Sequence, residues 1–108
     1  MKILIVGAGR IGSSVAESLV SEANDITVVD QDAERIGSLQ SRFDLRGVVG
    51  NATSPQVLTD AGAADTDMLI AVTSSDETNL VVTMLCARIF NIPTRIARVR
   101  NNELRDYP

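Results

Sequence analysis

The residues best equipped for chemistry stand in one short loop, Gly7-Ala8-Gly9-Arg10-Ile11-Gly12, and at Asp30, 21 positions beyond Gly9. The loop spells G-x-G-x-x-G and follows a β-branched run. Gly7 permits a tight turn, Gly9 lets phosphates approach the backbone, and Gly12 lets a helix lie close against a sheet. A helix N-terminus carries unpaired N–H groups and partial positive charge, which suits an anion. Asp30 closes the next apolar run at the spacing of a carboxylate that accepts hydrogen bonds from a ribose diol. The chemistry is therefore nucleotide binding; the bland alternative is a glycine-rich turn in a domain of this kind that holds no ligand. A 2′-phosphate would face the like charge of Asp30, so NAD, NADH, ATP and ADP are expected ahead of NADP.

Arg10 is the most informative single residue of the loop. Lys2 is the sole lysine, and the G-x-x-x-x-G-K-[ST] pattern is absent. An arginine fork could grip phosphate bidentately, from its own subunit or across an interface; the alternative is a solvated surface arginine. Further along, Gly50-Asn51-Ala52-Thr53, Thr73-Ser74 and Arg98 follow apolar runs and are expected at the same end of a sheet. Arg98 and Arg100 are expected on one face of the last strand, with Arg98 favoured for the crevice and a surface salt bridge as its alternative.

Catalysis is poorly provided for. Hydride-transfer enzymes commonly use His, Lys or Tyr as acid–base partner. Here there is no histidine, Lys2 precedes the first strand, and Tyr107 lies at the tail. Cys86, among apolar helical neighbours, reads as a packed core thiol rather than a nucleophile. Asp76-Glu77 reads as the start of a helix capped by Asp76, with ligand or cation contact as the alternative. No His/Cys cluster suggests a transition metal.

The elements that must position these residues alternate regularly. Residues 3–6, 26–29 and 68–72 read as buried strands, near-continuously apolar as parallel strands are, and residues 47–50 and 95–99 as a short third and a fifth strand. Residues 11–20 place Ile11, Val15, Ala16, Leu19 and Val20 at helical spacing. Residues 32–43 form a more exposed helix, with Gly37 weakening its propensity. Ser54-Pro55 opens a short helix that ends at Gly62, and Asp76 to about Phe90 forms another. Asn101 to Leu104 looks like a further helix start. This β-α-β-α-β-α-β-α-β order demands right-handed crossovers and a doubly wound parallel sheet, a Rossmann fold. The expected strand order is 3-2-1-4-5, with the crevice at the switch point between strands 1 and 4. The helix after Asp76 is apolar almost all round, so its outer face is expected to be covered by a second copy of the chain or by a further C-terminal element.

Size and charge bound the rest. The chain has 108 residues, the size of a single domain. A net charge of −4 argues against a nucleic-acid partner. One cysteine fits a reducing cytosol. No charged-then-apolar leader and no apolar run near 18 residues is present, so neither a signal peptide nor a membrane span is expected.

Taken together, Met1 through Gly12, Val28-Val29-Asp30, Gly50 through Thr53, Ala71 through Asn79 and Arg95 through Asn101 resemble the TrkA-N type nucleotide-binding domains of the RCK/KTN family. The resemblance runs along essentially the whole chain; Asn51 departs from it, since many relatives carry an acid there. It implies a non-catalytic regulatory domain that binds NAD(H) and adenine nucleotides. It also implies a cytoplasmic homo-oligomer, from dimer to tetrameric ring, on the inner face of the cell membrane. There it would gate a Trk-type potassium-translocating subunit. By that resemblance Gly7, Ala8, Gly9, Arg10 and Ile11 correspond to the phosphate loop and Asp30 to the ribose acid. Thr73 and Ser74 correspond to the crevice wall, and Arg98 to the crevice arginine. Residues 1–108 would then be one domain of a longer subunit. The rival expectation is the cofactor half of an NAD-dependent dehydrogenase whose catalytic domain lies elsewhere.

Overall fold

The computed structural model describes residues 1–101. Its elements are β1 (Lys2–Val6), α1 (Arg10–Val20), β2 (Asp25–Asp30), α2 (Ala33–Arg42), β3 (Arg46–Val49), α3 (Pro55–Asp60), a 3₁₀ turn (Ala63–Asp65), β4 (Met68–Ala71), α4 (Asp76–Arg88) and β5 (Thr94–Ala97). The five strands form a parallel sheet in the order β3-β2-β1-β4-β5, as the alternation of strand and helix signals requires. The sheet reverses direction of growth between β1 and β4, so the crevice opens beside the C-terminal end of β1.

Pleating divides the central strand between two cores. Ile3 and Ile5 point to the face covered by α1 and α2, with Ala16, Ile26, Val28, Ile36 and Leu39. Leu4 and Val6 point to the other face, with Leu58, Leu69, Val82 and Cys86 under α3 and α4. Two-sided burial explains why β1 is apolar at every position from Ile3 to Val6. Ser54 caps α3, its hydroxyl accepting from the N–H of Val57, and Pro55 follows in the first turn.

Several boundaries differ from the sequence reading. Strand β5 stops at Ala97, so Arg98 and Arg100 lie beyond it and do not share a strand face. The N-cap of α4 is Ser75, whose hydroxyl accepts from the N–H of Thr78; Asp76 is the first helical residue and bonds elsewhere. The outer face of α4 leaves Leu80, Val81 and Met84 exposed, while Asn79, Val82 and Cys86 are buried. Burial pushes the Cys86 thiol up to about 11, which keeps it protonated at neutral pH and fits a packed core residue. Apart from Asn101, the expected helix start at Asn101–Leu104 lies outside the described residues, as does Tyr107. Among the described residues no helix is long and apolar enough to cross a membrane.

Helix α2 runs unbroken through Gly37, and nothing lies within 4 Å of where a Cβ would stand. Gly37→Ala should therefore raise stability by about 0.5–1 kcal/mol through backbone entropy and helix propensity, measured by urea unfolding with an unchanged m value.

Candidate functional site

The site begins where β1 ends. Gly7 has φ +113°, and its N–H donates to the carbonyl of Val29 at 2.8 Å. A Cβ at Gly7 would lie 3.0 Å from the backbone of Val72 and Thr73, because β1 and β4 crowd together at the switch point. One turn into α1, a Cβ at Gly12 would stand 1.8 Å from the carbonyl oxygen of Gly7. The atom that Gly12 accommodates is thus the loop's own backbone, a closer constraint than helix–sheet packing in general. Helix α1 starts after Gly9 with no side-chain cap and no acid in its first turn. Its leading N–H groups and partial positive charge stay available for an anion.

Asp30 is held against this loop. One carboxylate oxygen accepts from the N–H of Ala8 at 2.7 Å, the other from the N–H of Asp32 at 2.8 Å. The backbone carbonyl of Asp30 accepts from Gly50 N–H at 3.0 Å, which ties the third strand's exit to the second's. Each oxygen keeps a lone pair for a diol.

These groups surround a cavity of about 420 Å³. Of the residues singled out in the sequence, Gly7, Gly9, Arg10, Ile11, Asp30, Asn51, Ala52, Thr73, Ser74 and Arg98 line it. Ala8, Gly12 and Thr53 do not. Ala8 is buried and contributes its N–H to Asp30, Gly12 lies behind the loop, and Thr53 bonds through N–H and hydroxyl to the Asn51 side chain at 2.9 and 2.7 Å. Sequence reasoning passed over Gln31, Arg35, Ser75 and Thr78, which also line the cavity. Gln31 follows Asp30 directly and Ser75 follows Ser74, so adjacency was a usable signal for both. Arg35 and Thr78 arrive from first helical turns, and only the packing brings them in.

The crevice wall depends on Asn79, a fully buried residue that ends the Ala71–Asn79 stretch and to which the sequence assigned no role of its own. Its side-chain oxygen accepts from the N–H of Thr73 at 2.9 Å and from the Thr73 hydroxyl at 2.7 Å. Its amide donates to the carbonyls of Thr73 at 3.2 Å and Arg98 at 2.8 Å. One side chain therefore joins the exits of β4 and β5. A polar residue one turn into an otherwise apolar helix was the available signal. Asp76 adds a second tie: its carboxylate accepts from the N–H groups of Arg100 at 3.0 Å and Asn101 at 2.8 Å. These two N–H groups hold its carboxyl below the ordinary value of 3.8. Arg100 completes the loop by donating to the Ser74 carbonyl at 2.6 Å.

Three arginines, Arg10, Arg35 and Arg98, and one acid, Asp30, line the cavity, so a chain of net charge −4 presents a locally positive site. Among the described residues lining it none is His, Lys, Tyr or Cys, and no group of three His, Cys, Asp or Glu could hold a metal ion. Binding of an anionic, ribose-bearing ligand is what this arrangement can do.

Residues 3–107 match the family model of the TrkA-N domain. The chain is 55% identical over 103 residues to a protein from Haemophilus influenzae named Trk system potassium uptake protein TrkA; the match covers 95% of this chain and 22% of that one. It spans about a fifth of the length of the bacterial relatives of that name. Among solved structures, the GsuK RCK domain is 28% identical with a TM-score of 0.82, over 97% of this chain and 22% of that one. The Shewanella denitrificans Kef C-terminal domain in AMP-bound form shares the fold at 21% identity with a TM-score of 0.74, over 89% of this chain and 57% of that one.

Asn79→Ala should lower stability by about 1–3 kcal/mol in urea unfolding, because buried groups of Thr73 and Arg98 lose their partner. The Asp76 tie gives a pH signature. Its folded pKa lies below 3.8, so its contribution is full above that value and is lost as pH falls through the folded one. The stability difference between the wild type and Asp76→Asn, followed by thermal unfolding from pH 6 to pH 2, should narrow in that acid window.

Proposed function

Because this chain belongs to the TrkA-N domain family, whose model matches residues 3–107, we propose that it is a nucleotide-binding regulatory domain of a potassium-uptake system, taking NAD(H) and the adenine nucleotides ATP or ADP. The observation that carries the reading is the cavity at the switch point, where an uncapped helix N-terminus, Arg10 and Asp30 converge. Phosphates lie at the first turn of α1 against Gly9, Arg10 and Ile11; the ribose diol bonds to Asp30; Thr73, Ser74 and Arg98 form the opposite wall. Asn51 and Ala52 close the side beside β3. The AMP-bound state of the Kef domain supports the ligand class.

The lining supplies binding groups and no acid–base pair, which supports regulation over catalysis. A ligand switches such a domain only through unequal affinity for two arrangements. Arg10 senses phosphate charge, and the Ser74–Arg100 and Asp76 contacts carry a shift of the crevice wall to the chain leaving β5. The exposed apolar side chains of α4, Val81 and Met84 with Ile89 just beyond it, support self-association. The assembled subunit works in the cytoplasm, against the inner face of the membrane, on a Trk-type potassium-translocating partner.

Titration calorimetry with ATP, ADP, NAD and NADH, with oligomer mass read alongside, tests this. Arg10→Ala should weaken ATP and NADH by about 10-fold or more, the scale of a charge-assisted hydrogen bond. Unchanged binding together with unchanged switching of the assembled transport complex would remove Arg10 from the mechanism. Turnover of NADH with a small alcohol, ketone or amine would replace the regulatory reading with a dehydrogenase one.

A further inference from the structure

Asp30 alone predicts that a 2′-phosphorylated ribose is excluded, yet two features of the structure work against that exclusion. Both oxygens of Asp30 already accept a backbone N–H, from Ala8 and from Asp32, so part of its negative charge is neutralised before any ligand arrives. Beside it stands Arg35, in the first turn of α2. A Cβ on Gly9 would meet its guanidinium at 3.7 Å, so the fork lies against the glycine loop, and Arg35 lines the same cavity as Asp30. With three arginines and one acid the lining carries a formal charge of +2.

The hold on Arg35 is weak. Its ion pair with Asp32 spans 3.6 Å between side chains that are 57% and 48% exposed, a surface contact of small net value. Asp32 does not depend on it, because that carboxylate also caps α2 through the N–H groups of Glu34 and Arg35. The guanidinium is thus free to turn inward toward a dianion, and an arginine fork binds phosphate bidentately. Gln31, the neighbour of Asp30 on the cavity wall, brings an amide donor rather than a third acid.

On this basis we infer that Arg35 is a specificity-determining residue: it receives a phosphate on the ribose 2′-oxygen, so the site admits NADP-type ligands as well as NAD-type ones. An acid for the diol and an arginine for the 2′-phosphate, usually alternatives in this fold, stand here side by side. The inference rests on the nucleotide reading proposed above.

Two probes that differ only in the 2′-phosphate, 5′-AMP and 2′,5′-ADP, together with NAD and NADP, are titrated calorimetrically into the full chain and its Arg35 variants. The wild type should bind each 2′-phosphorylated probe within about tenfold of its partner. Arg35→Ala should weaken 2′,5′-ADP and NADP by about tenfold or more while 5′-AMP and NAD change less than about threefold, and Arg35→Lys should restore part of the loss. If NAD and 5′-AMP bind but the 2′-phosphorylated probes do not, or if Arg35→Ala weakens all four alike or none, the role assigned to Arg35 is wrong while nucleotide binding stands. If none of the four binds the wild type, the nucleotide reading itself falls and takes this inference with it.

Discussion

The rest of the structure depends on the contact between Gly12 and the carbonyl of Gly7. With a Cβ at residue 12 standing 1.8 Å from that oxygen, no other residue lets α1 start where it does. If α1 moved outward, its first turn would leave the cavity. The N–H of Ala8 would lose Asp30, and Gly7 would lose the Val29 carbonyl. Loop, helix dipole and Asp30 are therefore one unit, set by the steric allowance of two glycines at the crowded exit of the central strand.

The opposite wall is built on a different principle. There the chain relies on side-chain hydrogen bonds: buried Asn79 satisfies groups from both Thr73 and Arg98, and Asp76, nearer the surface, gathers Arg100 and Asn101. Backbone groups that leave a parallel sheet lose their ladder partners and need others when buried. Asn79 and Asp76 supply them from the first turn of α4. This wall of the cavity is consequently the same structure that orients residues 98–101 beyond β5.

Much of the fold was legible because a two-sided parallel sheet leaves a strong imprint. Runs such as Ile3–Val6 and Met68–Ala71 are apolar at consecutive positions, and caps such as Ser54-Pro55 carry their own chemistry. The end of β5 was harder. Arg95-Ile96-Ala97-Arg98-Val99 continues a strand pattern, yet β5 ends at Ala97: Arg98 still donates its N–H to the Ala71 carbonyl at 2.9 Å, while its own carbonyl accepts from the Asn79 side chain. The cap of α4 was misread by one residue for a related reason. Ser75 and Asp76 are both good caps, and Asp76 is drawn off by a segment 24 residues away.

By itself the sequence determined the alternation of strands and helices and the glycine loop with its acid, because hydrophobic period and glycine spacing are local properties; the expected order 3-2-1-4-5 is the one the sheet adopts. The lack of histidine leaves the acid–base chemistry of this stretch to other side chains. Only the tertiary structure decided which charges share the cavity. Arg35 belongs to none of the stretches singled out in the sequence and Asn79 only closes one of them; each reaches the site through the way its helix packs on the sheet. Charge selectivity depends on distances of a few ångströms across elements, and such distances are set by packing.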